Sequence, residues 1–242
     1  MYFRCVCISI LIVAVGGTSP LFGQWNVIAG YDISHVSDVR VNRLISSFNE
    51  IHPERTLTLK PARILHGFMA GFRYGYDLGG LELYYSKRAT RRIGDDYDIL
   101  YENRKYDPDM EGSEQFLIEA SDLDLFYDIK TITFLKEFGK TIRFGASLDY
   151  NIYTHEINYI HDKIRDFKVN QDIWGSKVFM GVHLTNSTRM SFSVRMYYQW
   201  IWDQVDLAPL ESVLFPMQDS CTECREQPHT IGLSIIINNG LQ

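Results

Sequence analysis

The chain has 242 residues, of which 45% are hydrophobic and 14% aromatic, and its formal net charge is −6. That hydrophobic content excludes a disordered chain. The acidic balance, with no Lys/Arg run longer than Arg91-Arg92, excludes a general nucleic-acid binder. The length permits one large domain or two small ones, and the weight of Tyr (15) and Phe (14) favours strands over helices.

Residues 1–23 have the layout of a secretory signal: Arg4, an apolar core from Cys5 to Val15, then small and turn residues from Gly16. The apolar run is too short for a membrane-spanning helix, and cleavage is expected after Gly23. Cys5 and Cys7 precede the apolar core, so a lipoprotein reading is rejected. The mature chain, 24–242, keeps only Cys221 and Cys224. In an oxidising compartment this pair is expected as a local disulfide or as loop thiols. A zinc site would need two further ligands, and only His229 is near. A redox pair would need a helix start in a βαβ setting.

From Trp25 onward apolar residues recur with period two, not at helical spacing. Eight strands follow in order: Trp25 to Ser34, Ala62 to Leu78, Leu81 to Ala89, Ser121 to Thr131, Thr141 to Tyr153, Ser176 to Thr185, Met190 to Gln204 and His229 to Asn238. The connections alternate in length. Short ones lie at Gly79-Gly80, near Gly139 and at Asn186 to Thr188; long ones run from His35 to Pro61, Thr90 to Ala120, Thr154 to Gly175 and Val205 to Pro228. Short links imply antiparallel neighbours, and strict alternation puts all four long connections at one end. The prediction is an all-β fold, an eight-stranded antiparallel up-and-down barrel.

Each strand has two unlike faces. In the fifth, Ile142, Phe144, Ala146, Leu148, Tyr150 and Ile152 alternate with Arg143, Gly145, Ser147, Asp149, Asn151 and Tyr153. The seventh sets Phe192, Val194, Met196, Tyr198, Trp200 and Trp202 against Ser193, Arg195, Tyr197, Gln199 and Asp203. In the fourth, Leu123, Leu125, Tyr127 and Ile129 oppose Asp122, Asp124, Phe126 and Asp128. The interior of an eight-stranded barrel is only wide enough to be filled by side chains. The ring-bearing faces would overfill it, so they are assigned to lipid and the small and charged faces to a thin lumen. Apolar-out, polar-in strands of about 10 residues are those of a transmembrane barrel.

On this reading Trp25, Tyr74, Tyr76 and Tyr127 form an aromatic belt at the short-turn end, and Tyr150, Tyr198, Trp200 and Trp202 one at the long-loop end. No Lys or Arg is expected at a mid-band lipid-facing position. The lumen is predicted to be salt-bridged, with a charge network drawn from Arg73, Glu82, Asp124, Asp128, Arg143, Asp149 and Arg195. Arg73 is expected to meet Glu82, and Arg143 to meet Asp128, across short turns.

Eight alternating strands, three short turns and four long loops after a signal resemble the small outer-membrane β-barrels of the OmpA/OmpX type. The resemblance covers 24–242 and is architectural; the C-terminus, IIINNGLQ, departs from the terminal aromatic residue common in such barrels. It implies a bacterial outer-membrane barrel with three periplasmic turns and four outer loops, in contact with outer-membrane lipid. Its expected role is a non-enzymatic scaffold that binds an extracellular or envelope protein through those loops, with no cofactor, metal or catalytic site. The alternative is an enzyme modifying lipid or lipopolysaccharide, for which His35 with Ser37 and His155 with Glu156 are the candidate pairs. A passive pore conflicts with eight strands and a charged lumen.

Overall fold

A computed structural model describes residues 24–37, 39–51, 58–76, 79–99, 118–159, 167–185, 190–215 and 224–239. The signal segment and Cys221 lie outside these residues, as do Asp77 and the side chain of Asp122. Eight strands close into one antiparallel barrel: β1 (Gln24–Val36), β2 (Ile64–Tyr76), β3 (Gly79–Ile99), β4 (Ile118–Phe138), β5 (Ile142–Tyr159), β6 (Phe167–Thr185), β7 (Met190–Ile201) and β10 (His229–Asn239), with β10 pairing β1. A two-residue ladder joins β8 (Val205–Asp206) to β9 (Arg225–Glu226). Two helices, α1 (Val39–Ile51) and α2 (Ala208–Leu214), lie in the first and last long connections.

The predicted strand order holds, and the wall follows from period-two patterning. Tracing paired residues from Ala29 through β2, β3, β4 and β5 reaches Trp174 on β6, whereas tracing through β10 and β7 reaches Leu184. The two paths differ by ten residues, which is the shear of the barrel, and for eight strands it sets a tilt of about 40°. The turn between β4 and β5 is made at Gly139, where φ is +102°. An L side chain there would be strained and would meet the Ile142 carbonyl.

All four predicted long connections are partly strand. β3 and β4 stay paired out to Ile99 and Ile118, and β5 and β6 reach Tyr159 and Phe167. From Thr90 to Ile99, β3 pairs only with β4. β4 in turn pairs with β5 as far as Leu123, so Asp95–Ile99 with Ile118–Asp122 form roughly 17 Å of two-stranded ribbon beyond both neighbours.

Outward side chains form a continuous apolar band. Trp25, Val27, Phe68, Phe72, Leu83, Ile132, Phe144, Met180, Met196 and Leu233 are among those exposed on it. On β5 the band runs from Ile142 to Ile152, and at the barrel's tilt such a stretch spans about 25 Å, the height of a lipid-facing belt. Water would reject so large a contiguous apolar surface; hydrocarbon accepts it.

Candidate functional site

Inside the band the lumen is filled in layers. At the short-turn end three guanidiniums converge on two carboxylates. Glu137 Oε1 accepts from Arg73 Nη2 at 2.6 Å and from Arg143 Nη1 at 2.8 Å, and its Oε2 accepts from Arg195 Nη2 at 2.9 Å. Arg195 also grips Glu82 through both terminal nitrogens, at 2.6 and 2.5 Å, and Arg73 Nε stands 3.5 Å from Glu82. All five side chains are buried. Buried charge persists only when paired in this way, and guanidinium suits it because its donors are fixed in a fork.

Above this layer Ile28, Met69, Tyr84, Leu135, Phe179, Tyr197 and Ile236 pack as an apolar plate. The strands accommodate it by placing glycine opposite the rings. A Cβ on Gly232 would stand 2.2 Å from the Tyr197 ring. A second polar layer follows. Fully buried Arg88 donates to Tyr197 Oη and Gln199 Oε1, both at 2.9 Å, and Asp32 lies 3.8 Å from its Nε. Lys177 lies 3.6 Å from Asp149 and donates to Tyr84 Oη at 3.2 Å. Each of these layers is crossed by interlocked side chains from several strands.

Past the band the polarity of the wall reverses. Leu123, Leu125, Tyr127, Ile129, Tyr153, His155 and Ile157 point inward and are buried. They pack against Val41, Ile45 and Phe48, which lie on one stripe of α1 by their spacing of four and three, and against Leu210 and Leu214 of α2. This apolar cap closes the long-loop mouth. Asn42 and Asn49 tie the returning segment to α1: Asn42 Oδ1 accepts the Ala62 amide at 2.8 Å, and Asn49 both accepts from Leu59 N and donates to Leu59 O. Gln171 makes a similar two-way clamp on Asp206. Cys224 is buried in the same cluster.

The outer face of this stretch is ionic. Arg91 is 2.7 Å from Asp124, Lys87 is 3.6 Å from Asp128, and Lys168 is 2.6 Å from Glu156. The hydrogen bond from Lys168 holds the Glu156 carboxyl below its ordinary range. His155 stands apart from all of these. Its ring stacks on Tyr127 at 4.7 Å, neither ring nitrogen has a hydrogen-bond partner, and burial pushes it down to about 4.

These placements correct the sequence reading of the fourth strand. Asp124 and Asp128 are on the outer wall with Lys87 and Arg91, not in the lumen, and Tyr127 belongs to the cap, not to an aromatic belt. Above the bilayer the outer face meets water, so the apolar residues turn inward. Arg143 accordingly meets Glu137 and not Asp128. Glu137, within a stretch read as a connection, is the acid that sequence reasoning missed; the alternation of Ile132, Phe134 and Phe138 with Thr133, Leu135 and Glu137 is the signal that would have turned its face to the lumen. Lys130 and Lys136 are outward too, Lys130 opposite Ile152 at the upper edge of the band and Lys136 near its lower edge. Lys136 stands two residues from the end of β4 with its ammonium 5.2 Å from the Phe138 ring centroid, so it snorkels toward the interface. Trp25, Tyr74 and Tyr76 lie outward at the short-turn end, with the Trp25 and Tyr74 rings 5.2 Å apart. Tyr150, Tyr198 and Trp200 lie outward at the other end, where Trp202 donates to Ser176 Oγ.

Neither candidate catalytic pair is assembled as a dyad. His155 and Glu156 are adjacent on a strand and point to opposite faces. Ser37 Oγ is bonded to the backbone of His229, donating to its carbonyl and accepting from its amide, both at 3.0 Å.

No protein-family model matches the chain, and no curated protein matches it by sequence. Solved structures resemble it in outline. Ail, the attachment invasion locus protein of Yersinia pestis, in complex with the heparin analogue sucrose octasulfate, aligns at 11% identity and a TM-score of 0.41 over 90% of this chain and 99% of that one. Neisserial surface protein A aligns at 10% and 0.42 over 91% and 99%. The outer membrane protein OprG from Pseudomonas aeruginosa aligns at 12% and 0.39 over 90% and 95%. Identities and TM-scores this low carry neither residue roles nor a family to this chain. A closed eight-stranded β-barrel with a polar interior, a lipid-facing band of bilayer height and aromatic residues at both of its edges is the architecture of an outer-membrane protein.

Proposed function

We propose that the protein is a non-enzymatic outer-membrane scaffold that presents a folded outer platform to a protein partner. The observation that carries this reading is the build of the long-loop end. The mouth is sealed by α1, α2 and the inward apolar residues, and the β3–β4 ribbon projects from the sealed rim. A barrel stoppered in this way has no use as a passive pore, and the β3–β4 ribbon extends beyond the pairing with β2 and β5. Loops and ribbons on a rigid scaffold are the usual place for recognition.

The test replaces residues 93–122 with a short turn. The variant is expected to insert and to keep the gel-mobility shift on heating of a folded barrel, while cell-surface binding conferred by the intact protein is lost. Surface binding that survives the deletion would refute the role of the ribbon.

A further inference from the structure

Three histidines stand on adjacent strands of the outer wall. His66 on β2 pairs with Ile33 of β1, His35 lies two residues further along β1, and His229 on β10 lies opposite Ser37, two residues further again. The shear of ten residues over eight strands lowers each pairing line by just over one residue in the same direction. It offsets most of that two-residue step, so the three rings come to nearly one height. That height is where the apolar band ends: Ile33, Ile64 and Ile231 are exposed beside them. His35 and His66 are exposed, and His229 is half-buried.

The sector differs from the rest of the rim in charge. On β3 to β6 the cations above the band have acids beside them: Lys87 with Asp128, Arg91 with Asp124, Lys168 with Glu156, and Lys130 acting on Glu156. The described outward positions of β10, β1 and β2 carry no carboxylate. The groups around the rings are Tyr31, whose hydroxyl is 2.7 Å from His66 Nδ1, and Tyr198, whose ring stacks on His229 at 5.8 Å. Arg63 adjoins them through its carbonyl, which accepts the Val36 amide. Among the described residues, Asp32, three residues from His35, points into the lumen, where it accepts from Tyr197, and Glu226, three residues from His229, accepts the Arg40 amide. Tyr31 takes only Nδ1 of His66, so Nε2 is available to a ligand.

We propose that His35, His66 and His229 form a docking row for the phosphate groups of outer-leaflet lipid. The row sits at headgroup level, continuous with the lipid-facing band, and imidazole N–H groups donate hydrogen bonds to phosphate oxygens. Three such donors acting together are expected to raise retention on the order of tenfold or more. The inference rests on the outer-membrane reading but not on the ribbon or any protein partner.

The test uses the full mature protein in phosphatidylcholine nanodiscs doped with phosphorylated lipid A or with its dephosphorylated form, and bound lipid is counted by native mass spectrometry. The phosphorylated lipid is expected to be retained on the order of tenfold better than the dephosphorylated form. The preference should vanish in H35Q/H66Q/H229Q while the heat-dependent mobility shift remains, and it should survive removal of residues 93–122. Retention unchanged in the triple variant, or no preference of the wild type for the phosphorylated lipid, would overturn the proposal. If the triple variant does not fold, the single H35Q and H66Q variants decide it. Failure of the wild type to enter the bilayer would instead sink the outer-membrane reading.

Discussion

Two residues define the chemistry of the interior. Glu137 is shared by Arg73, Arg143 and Arg195. Glu137→Gln would leave three buried cations facing Glu82 alone, and breaking a buried pair from one side costs about 3–5 kcal/mol. The expected result is a clear drop in the temperature at which the folded gel band converts to the unfolded one. Glu156→Gln is the contrast. Glu156 and its partner Lys168 are both partly exposed, and such pairs contribute about 1 kcal/mol or less, so the transition should barely move.

His155 sets a pH dependence for the cap. It lies beyond Ile152, above the band, and its buried value is about 4 against 6.5 when free. The packed cap therefore binds fewer protons than the opened one between these values. Its stability is full above about pH 6.5 and declines as pH falls, by at most about 3 kcal/mol, levelling off below about pH 4. Protease cleavage of the outer segments should speed up through that window. His155→Phe, which keeps the stack on Tyr127, should flatten the response, and an unchanged profile would show that another group governs it.

At the scale of elements, α1 is a lid held by one stripe. Phe48→Ala removes its largest buried ring, which meets Phe215 at 6.3 Å, and such truncations cost about 3–5 kcal/mol. Because the layers below are held by their own ion pairs, the loss should be local. Hydrogen exchange is expected to rise in α1 and the 58–62 segment, with the mid-barrel amides of β5 unaffected. Exchange rising equally throughout would mean that cap and barrel open as one unit. Tyr127 and Asp124 show why the fourth strand was misread. Its period was legible, but it crosses from lipid to water, and a single in–out rule cannot hold on both sides of that boundary. The fifth strand was read correctly because most of its length stays within the band.

For the whole molecule, three stacked layers and a cap predict electrical silence. In planar bilayers the intact protein should show no steady conductance, and Phe48→Ala should not create one, since Arg88 and Tyr197 still cross the lumen. A stable open level in the wild type would contradict the layered interior. Period-two patterning, turn spacing and the alternation of long and short links by themselves determined eight strands, their order and the lipid-facing side of most of them, because these depend on local geometry and on the solvent along each strand. Only the tertiary structure decided that the long connections fold into a ribbon and a cap, that Glu137 is the hub of the lower layer and that the wall inverts above the bilayer. Those outcomes depend on which side chains from distant strands meet in one cross-section, and a linear pattern does not carry that information.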